Sequence, residues 1–101
     1  MSDNKLVKLT EEEIKENLKH LPHWGYKEDS LMSSFQFQDF KETFSAMTRI
    51  AFECEKLGHY PKWTNTFNTL LVSIQTPSLK GVSINDFALA ERIERCISNG
   101  E

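Results

Sequence analysis

Three things are scarce in this chain: a surplus of positive charge, long apolar runs, and residues that staple or metallate small folds. Twelve Lys and Arg stand against fifteen Asp and Glu, a formal net charge of −3 with a pI near 5.6. Domains that grip nucleic acid by neutralising phosphates carry clustered basic excess, so the balance argues against direct nucleic-acid binding. No apolar stretch approaches the length of a bilayer span, and Met1-Ser2-Asp3-Asn4-Lys5 lacks the apolar heart of a signal peptide. The expectation is a cytoplasmic protein with no membrane contact. The two cysteines, Cys54 and Cys96, each fall in a predicted helix without metal-ligand spacing. They are expected as buried, reduced thiols, and a disulfide is disfavoured. There is no Gly-rich phosphate loop, no Cys-x-x-Cys pair and no Ser-centred elbow. A metal site would be short of ligands, because Cys54 and His59 have no second cluster to join.

What the chain does have is the ordinary balance of a folded domain, 39% hydrophobic and 27% charged residues over 101 positions. That length supports one domain, expected over 1-101 with a loose N-terminal tail at 1-8. Thr10 with Glu13 reads as a capping box and Leu9 with Ile14 as a hydrophobic staple. These open a helix predicted to reach Leu21, where Pro22 stops it. Ile14, Leu18 and Leu21 form its apolar stripe. His20 and His23 flank that proline and suit contact with the carbonyls of the helix end.

His23 to Lys27 is predicted as a strand, Glu28-Asp29-Ser30 as its turn, and Leu31 to Gln38 as a second strand with Leu31, Phe35 and Phe37 on one face. Asp39 caps the next helix with Glu42. Phe40, Phe44, Met47, Ile50, Ala51, Cys54 and Leu57 recur at helical spacing up to Gly58, and Phe52 falls off that stripe. Trp63 to Phe67 and Leu70 to Thr76 read as two more strands, turning near Asn68-Thr69 with Leu70, Val72 and Ile74 inward. After a loop at Pro77 to Gly81, Ser83 and Asp86 form a capping box. The last helix presents Leu89, Ala90, Ile93 and Ile97 and ends at Gly100. Two hairpins among three helices predict an α+β fold, a four-stranded antiparallel sheet with three helices packed on one face.

The unusual chemistry gathers at Glu55-Lys56-Leu57-Gly58-His59-Tyr60-Pro61-Lys62-Trp63. Gly58 supplies the left-handed residue that ends a helix, and Pro61 forbids its resumption. His59 and Tyr60 therefore stand at a rigid corner, where side chains keep fixed directions without burial. On its own, such a corner reads as a packed turn with a solvated histidine.

Phe35-Gln36-Phe37-Gln38-Asp39-Phe40, Met47-Thr48-Arg49, Glu55 to His59, Pro61-Lys62-Trp63, Asn65 and the Gly81 to Ile93 segment together strongly resemble the pterin-4a-carbinolamine dehydratases. The resemblance covers roughly Leu31 to Ile93. It implies the four-stranded sheet under three helices already read from the element order. It also implies a homodimer or a homotetramer, with the central helix in the tetramer contact, which would account for Phe52. The implied activity is dehydration of a 4a-hydroxytetrahydropterin to the quinonoid dihydropterin, recycling the cofactor of aromatic amino-acid hydroxylases, with no metal and no cofactor of its own. An animal relative also binds the dimerisation helices of a homeodomain transcription factor, so a protein partner is a further implication.

The family pattern sets two adjacent histidines before the proline of the corner and a third at the end of the last strand. This chain keeps the first as His59, has Tyr60 in place of the second, and has Pro77, directly after Thr76, in place of the third. The resemblance makes His59 the catalytic group and assigns substrate contacts to Tyr60, Glu55, Trp63, Thr76 and Asp86. Side chains that titrate near neutrality suit a reaction that both gives and takes a proton. A phenol, with an ordinary pKa near 10, can donate a hydrogen bond but is a poor base. Three readings follow: a dehydratase with a depleted histidine set, a pterin-binding paralogue without turnover, and an oligomeric interaction module.

Overall fold

The computed structural model describes residues 6–98, and its elements begin and end where local chemistry sets them. Helix α1 (Glu11–Leu18) opens on Thr10, with both halves of the capping box formed: the Thr10 hydroxyl accepts from Glu13 N and Glu13 Oε1 accepts from Thr10 N. It stops a turn before the predicted Leu21. Lys19 closes it, and Leu21 N–H bonds to Leu18 O in a tighter turn that still buries Leu21. Of the expected loose tail, residues 1–5 lie outside the described residues. Leu9 N–H bonds to Val82 O, and the Lys8 stem lies over Gly81.

Strand β1 (Gly25–Lys27) is shorter than the predicted His23 to Lys27, because Trp24 turns into the core and donates its indole N–H to Glu94 Oε2 at 2.8 Å. His23 faces Glu94 as well, at 3.5 Å, rather than the end of α1. A two-residue turn at Glu28-Asp29, both at positive φ, joins β1 to β2 (Ser30–Gln36), so Ser30 belongs to the strand. Strands β3 (Lys62–Thr66) and β4 (Thr69–Ile74) turn at Phe67-Asn68, one residue before the predicted position. All neighbours are antiparallel, in the order β1-β2-β4-β3. Alternate residues of the central strands, Leu31, Leu70, Val72 and Ile74, are buried. They share one core with Ile14 of α1, Ile50 and Cys54 of α2, and Phe87, Leu89, Ala90 and Ile93 of α3. Phe35 and Phe37, placed inward with Leu31 from sequence, are half-buried against that core.

Helix α2 (Phe40–Leu57) corrects the predicted apolar stripe. Thr43 and Ala46 hold the inward positions with Ile50 and Cys54, while Phe40, Phe44 and Ala51 are exposed. Small residues let the helix sit close, and the Thr43 hydroxyl is satisfied by Asp39 O at 2.8 Å. Phe44 and Phe52 are 56% and 64% exposed. Helix α3 (Ile84–Ser98) packs on α2, and Arg92 Nη1 meets Glu53 Oε1 at 2.8 Å across the pair, holding that carboxyl below its usual range. The predicted stop at Gly100 lies outside the described residues. Cys54 is buried and Cys96 only half-buried; both are free thiols. Desolvation pushes the Cys54 thiol up to about 11.

Candidate functional site

Two chain segments meet to make the site, and each is held by its own backbone. At the end of α2, Gly58 takes φ 67°, and its N–H bonds to Cys54 O at 2.8 Å. That left-handed residue turns the chain so that His59 leaves the helix pointing back toward the start of α3. On the other side, Thr76 and Gly81 pair across a short loop (Thr76 N to Gly81 O, 2.8 Å) containing the single 3₁₀ turn Pro77–Leu79. This closure sets Thr76 beside Ser83 and the first turn of α3.

Asp86 joins the two segments. It is 0% exposed, and its two oxygens have different partners. Oδ2 accepts from Ser83 N at 2.8 Å and Thr76 Oγ1 at 2.7 Å, with Ser83 Oγ farther off at 3.4 Å. Oδ1 faces His59 Nε2 at 2.5 Å. The predicted capping box is thus half formed. Asp86 reaches back to Ser83 N, but the Ser83 hydroxyl turns to Thr76, 2.7 Å away, instead of to Asp86 N. Since Thr76 gives its proton to Asp86, the Ser83 hydroxyl is the donor to Thr76. Every buried side-chain polar atom here has a partner, which is what a low-dielectric network requires.

The geometry fixes the histidine. A carboxylate oxygen accepts, so Nε2 carries a hydrogen toward Asp86 and Nδ1 is the nitrogen left for other work. Nδ1 has no hydrogen-bond partner among the described residues, and it is not sealed from solvent. The whole side chain is only 11% exposed. A histidine so placed is oriented by a buried carboxylate through one nitrogen and can exchange a proton through the other.

The remaining predicted residues divide around this pair. Tyr60 is exposed, and its hydroxyl donates to Glu55 Oε2 at 3.1 Å. That bond, with the nearby Glu55 charge, raises the phenol above its ordinary range. Trp63 is half-buried against the core. A cavity of about 1000 Å³ lies over the open face of the sheet. Tyr60, Pro61, Trp63 and Pro77 border it, whereas His59, Asp86, Thr76 and Glu55 are off its lining. Tyr60 and Pro77 on the wall are the chain neighbours of His59 and Thr76. Sequence reasoning took Ser83 for a helix cap alone. Its place three residues before Asp86 was visible, but its hydroxyl bond to Thr76 depends on the loop closure. Among the described residues no group of three or more His, Cys, Asp or Glu is arranged to hold a metal, and no helix is long and apolar enough to cross a membrane.

Comparison with known proteins agrees with this architecture. Residues 7–96 match the family described as pterin 4 alpha carbinolamine dehydratase. A Christiangramia forsetii protein provisionally named pterin-4-alpha-carbinolamine dehydratase is 48% identical over 92 residues, covering 91% of this chain and 95% of its own. A Burkholderia ambifaria protein of the same provisional name is 38% identical over 96 residues, covering 93% and 94%. The crystal structure of a transcriptional coactivator/pterin dehydratase from Brucella melitensis is similar with a TM-score of 0.87 and 33% identity, over 90% of this chain and 99% of that one. The chain belongs to the pterin 4 alpha carbinolamine dehydratase family.

Proposed function

We propose that this member of the pterin 4 alpha carbinolamine dehydratase family dehydrates a 4a-hydroxytetrahydropterin to the quinonoid dihydropterin, with His59 as its acid/base group. The observation that carries the reading is the His59–Asp86 pair, in which one imidazole nitrogen is committed to a buried carboxylate and the other has no partner among the described residues. In the reaction the C4a–O bond breaks, the N5 proton is lost, a C4a=N5 double bond forms and water leaves. Protonated at Nδ1, His59 gives that proton to the departing hydroxyl, and then takes the proton from N5, so it ends as it began. Asp86 accepts the Nε2–H hydrogen bond throughout and so holds the ring in one orientation. Tyr60 stands on the cavity wall beside His59, where its phenol oxygen can meet the substrate hydroxyl. Trp63 borders the ring's place, while Thr76 and Glu55 act through Asp86 and Tyr60.

Tyr60 and Pro77 stand where the family pattern has its other histidines, so one group does work that three would share. General acids and bases each contribute about a hundredfold to ten-thousandfold, and the expected enzyme is slower by a factor in that range. The test follows the decay of chemically generated 4a-hydroxytetrahydropterin by absorbance. Acceleration by the wild type that is lost in His59→Ala supports the reading. No acceleration by the folded wild type would leave a pterin-binding paralogue without turnover.

The protein is proposed to work in the cytoplasm as one domain over 1-101, without metal or cofactor, and as a homodimer or homotetramer. Phe40, Phe44 and Phe52 on the outer side of α2 support an oligomeric contact, and are the surface an interaction module would use. Phe44→Asp with Phe52→Asp should lower the sedimentation mass while leaving pterin binding intact; an unchanged mass would dismiss α2 as the contact.

A further inference from the structure

The cavity is larger than the reaction needs. At about 1000 Å³ it lies at the top of the range of small-molecule sites, roughly 300–1,000 Å³, and a pterin bicycle with a short side chain fills a small part of it. The strand register shows what the remainder offers. Lys27 pairs with Ser30, and Gln75 Nε2 donates to Ser30 Oγ at 2.9 Å. Lys62 pairs with Ser73, which pairs in turn with Met32 opposite Gly25. All of these line the cavity, giving it a floor of small and amide side chains between two lysines on opposite edge strands. With neighbouring strands about 4.8 Å apart, the floor is about 14 Å wide.

Both lysines are exposed, and neither is in an ion pair among the described residues. Glu28 is the acidic residue on the same lining, next to Lys27, which leaves the wall one positive charge in excess. We infer that the open sheet face receives an extended 6-substituent of the pterin bearing carboxylates, so that the preferred substrate is of the folate type, not one with a short neutral side chain. The inference rests on the pterin reading of the site above. It favours carboxylates over a phosphate because the lysines stand on opposite edges: each can meet a separate charge, but together they do not clamp one group, and no arginine fork is on the lining. Ser73 and the side-chain oxygen of Gln75 supply hydrogen-bonding groups along the path between them, with Ser30 buried and holding the Gln75 amide in place, and Met32 and Leu71 supply apolar surface for an aromatic spacer.

Isothermal titration of the full chain with 7,8-dihydrofolate and with 7,8-dihydrobiopterin tests this. Dihydrofolate is expected to bind tighter at low salt, with the advantage shrinking as ionic strength rises. Lys27→Gln and Lys62→Gln should each weaken dihydrofolate by about twofold to fivefold, the range of an exposed ion pair, and leave dihydrobiopterin unchanged. Glu28→Gln should tighten dihydrofolate alone. Equal binding of the two ligands, or lysine variants that weaken both alike, would overturn the folate-type preference while leaving the pterin site standing. Failure of both ligands to bind would overturn the pterin reading and this inference with it.

Discussion

Replacing Asp86 by Asn separates the two tasks of that side chain, because the variant keeps the shape and changes the hydrogen-bond code at one end. Ser83 N–H and the Thr76 hydroxyl both donate to Oδ2, so the amide oxygen of Asn must take that place. The amide NH₂ then faces His59. An NH₂ group can only donate, and His59 Nε2 must become the acceptor, moving its hydrogen to Nδ1. The nitrogen to which the proposed mechanism gives the proton exchange is then an N–H donor. The network stays satisfied, but its charge-assisted bonds become neutral ones of about half the strength. With two close bonds to Oδ2 and one to His59, the expected loss is about 1–3 kcal/mol. At about 4–8 °C per kcal/mol for a domain of this size, the melting temperature should fall by roughly 5–20 °C.

Turnover should fall further than stability does. A histidine in the wrong tautomer forfeits its acid/base contribution, about a hundredfold to ten-thousandfold, at temperatures where the variant is still folded. Nitrogen-15 NMR of labelled histidine reports the tautomer directly and should show Nδ1 protonated in the neutral variant. A variant that melts lower yet dehydrates 4a-hydroxytetrahydropterin at the wild-type rate would refute the orientation argument and return Asp86 to the role of a helix cap.

Three further outcomes are expected. Because its hydrogen bond to Glu55 raises the Tyr60 phenol, the phenolate should appear above the usual range in an ultraviolet titration, and Glu55→Gln should bring it back down. The small stability linked to this bond is present below the ordinary tyrosine pKa and is lost as pH rises through the raised one. Gly58→Ala, at φ 67°, should cost about 1–2 kcal/mol by forcing a side chain into the left-handed region, read as a lower denaturation midpoint. Tyr60→His combined with Pro77→His should speed dehydration at least tenfold if a shortage of titratable groups limits the enzyme; no gain would place the limit elsewhere, in binding or release.

The parts of the fold legible in the sequence were those decided within a few residues. The Thr10–Glu13 box, the Asp39 cap and the Gly58 stop each depend on neighbours, and each forms as read. The inward face of α2 was not legible. Hydrophobicity nominates Phe40 and Phe44, yet the core takes Thr43 and Ala46 because close approach to the neighbouring elements rewards small residues. Strand ends moved by one or two residues for a similar reason. Register decides them, and nothing in Phe67 announces a residue at φ 52° that closes the β3–β4 turn.

The sequence offers His59, Thr76 and Asp86 as separate residues, and their arrangement was not legible in it. His59 and Asp86 lie twenty-seven positions apart, and no local pattern announces their meeting; it follows from a helix stop at one end and a closed loop at the other. Reading Asp86 as a cap was correct for one of its oxygens, and that role would have sufficed to explain the residue. A carboxylate has more acceptor sites than a cap consumes, however. When the second oxygen of a buried cap points at a histidine whose far nitrogen has no partner among the described residues, the cap's rigidity becomes the histidine's. Under the proposed mechanism the helix start thereby sets the angle at which His59 meets the substrate, and changes at Thr76 or Ser83, which are off the cavity lining, should be felt as changes in that angle.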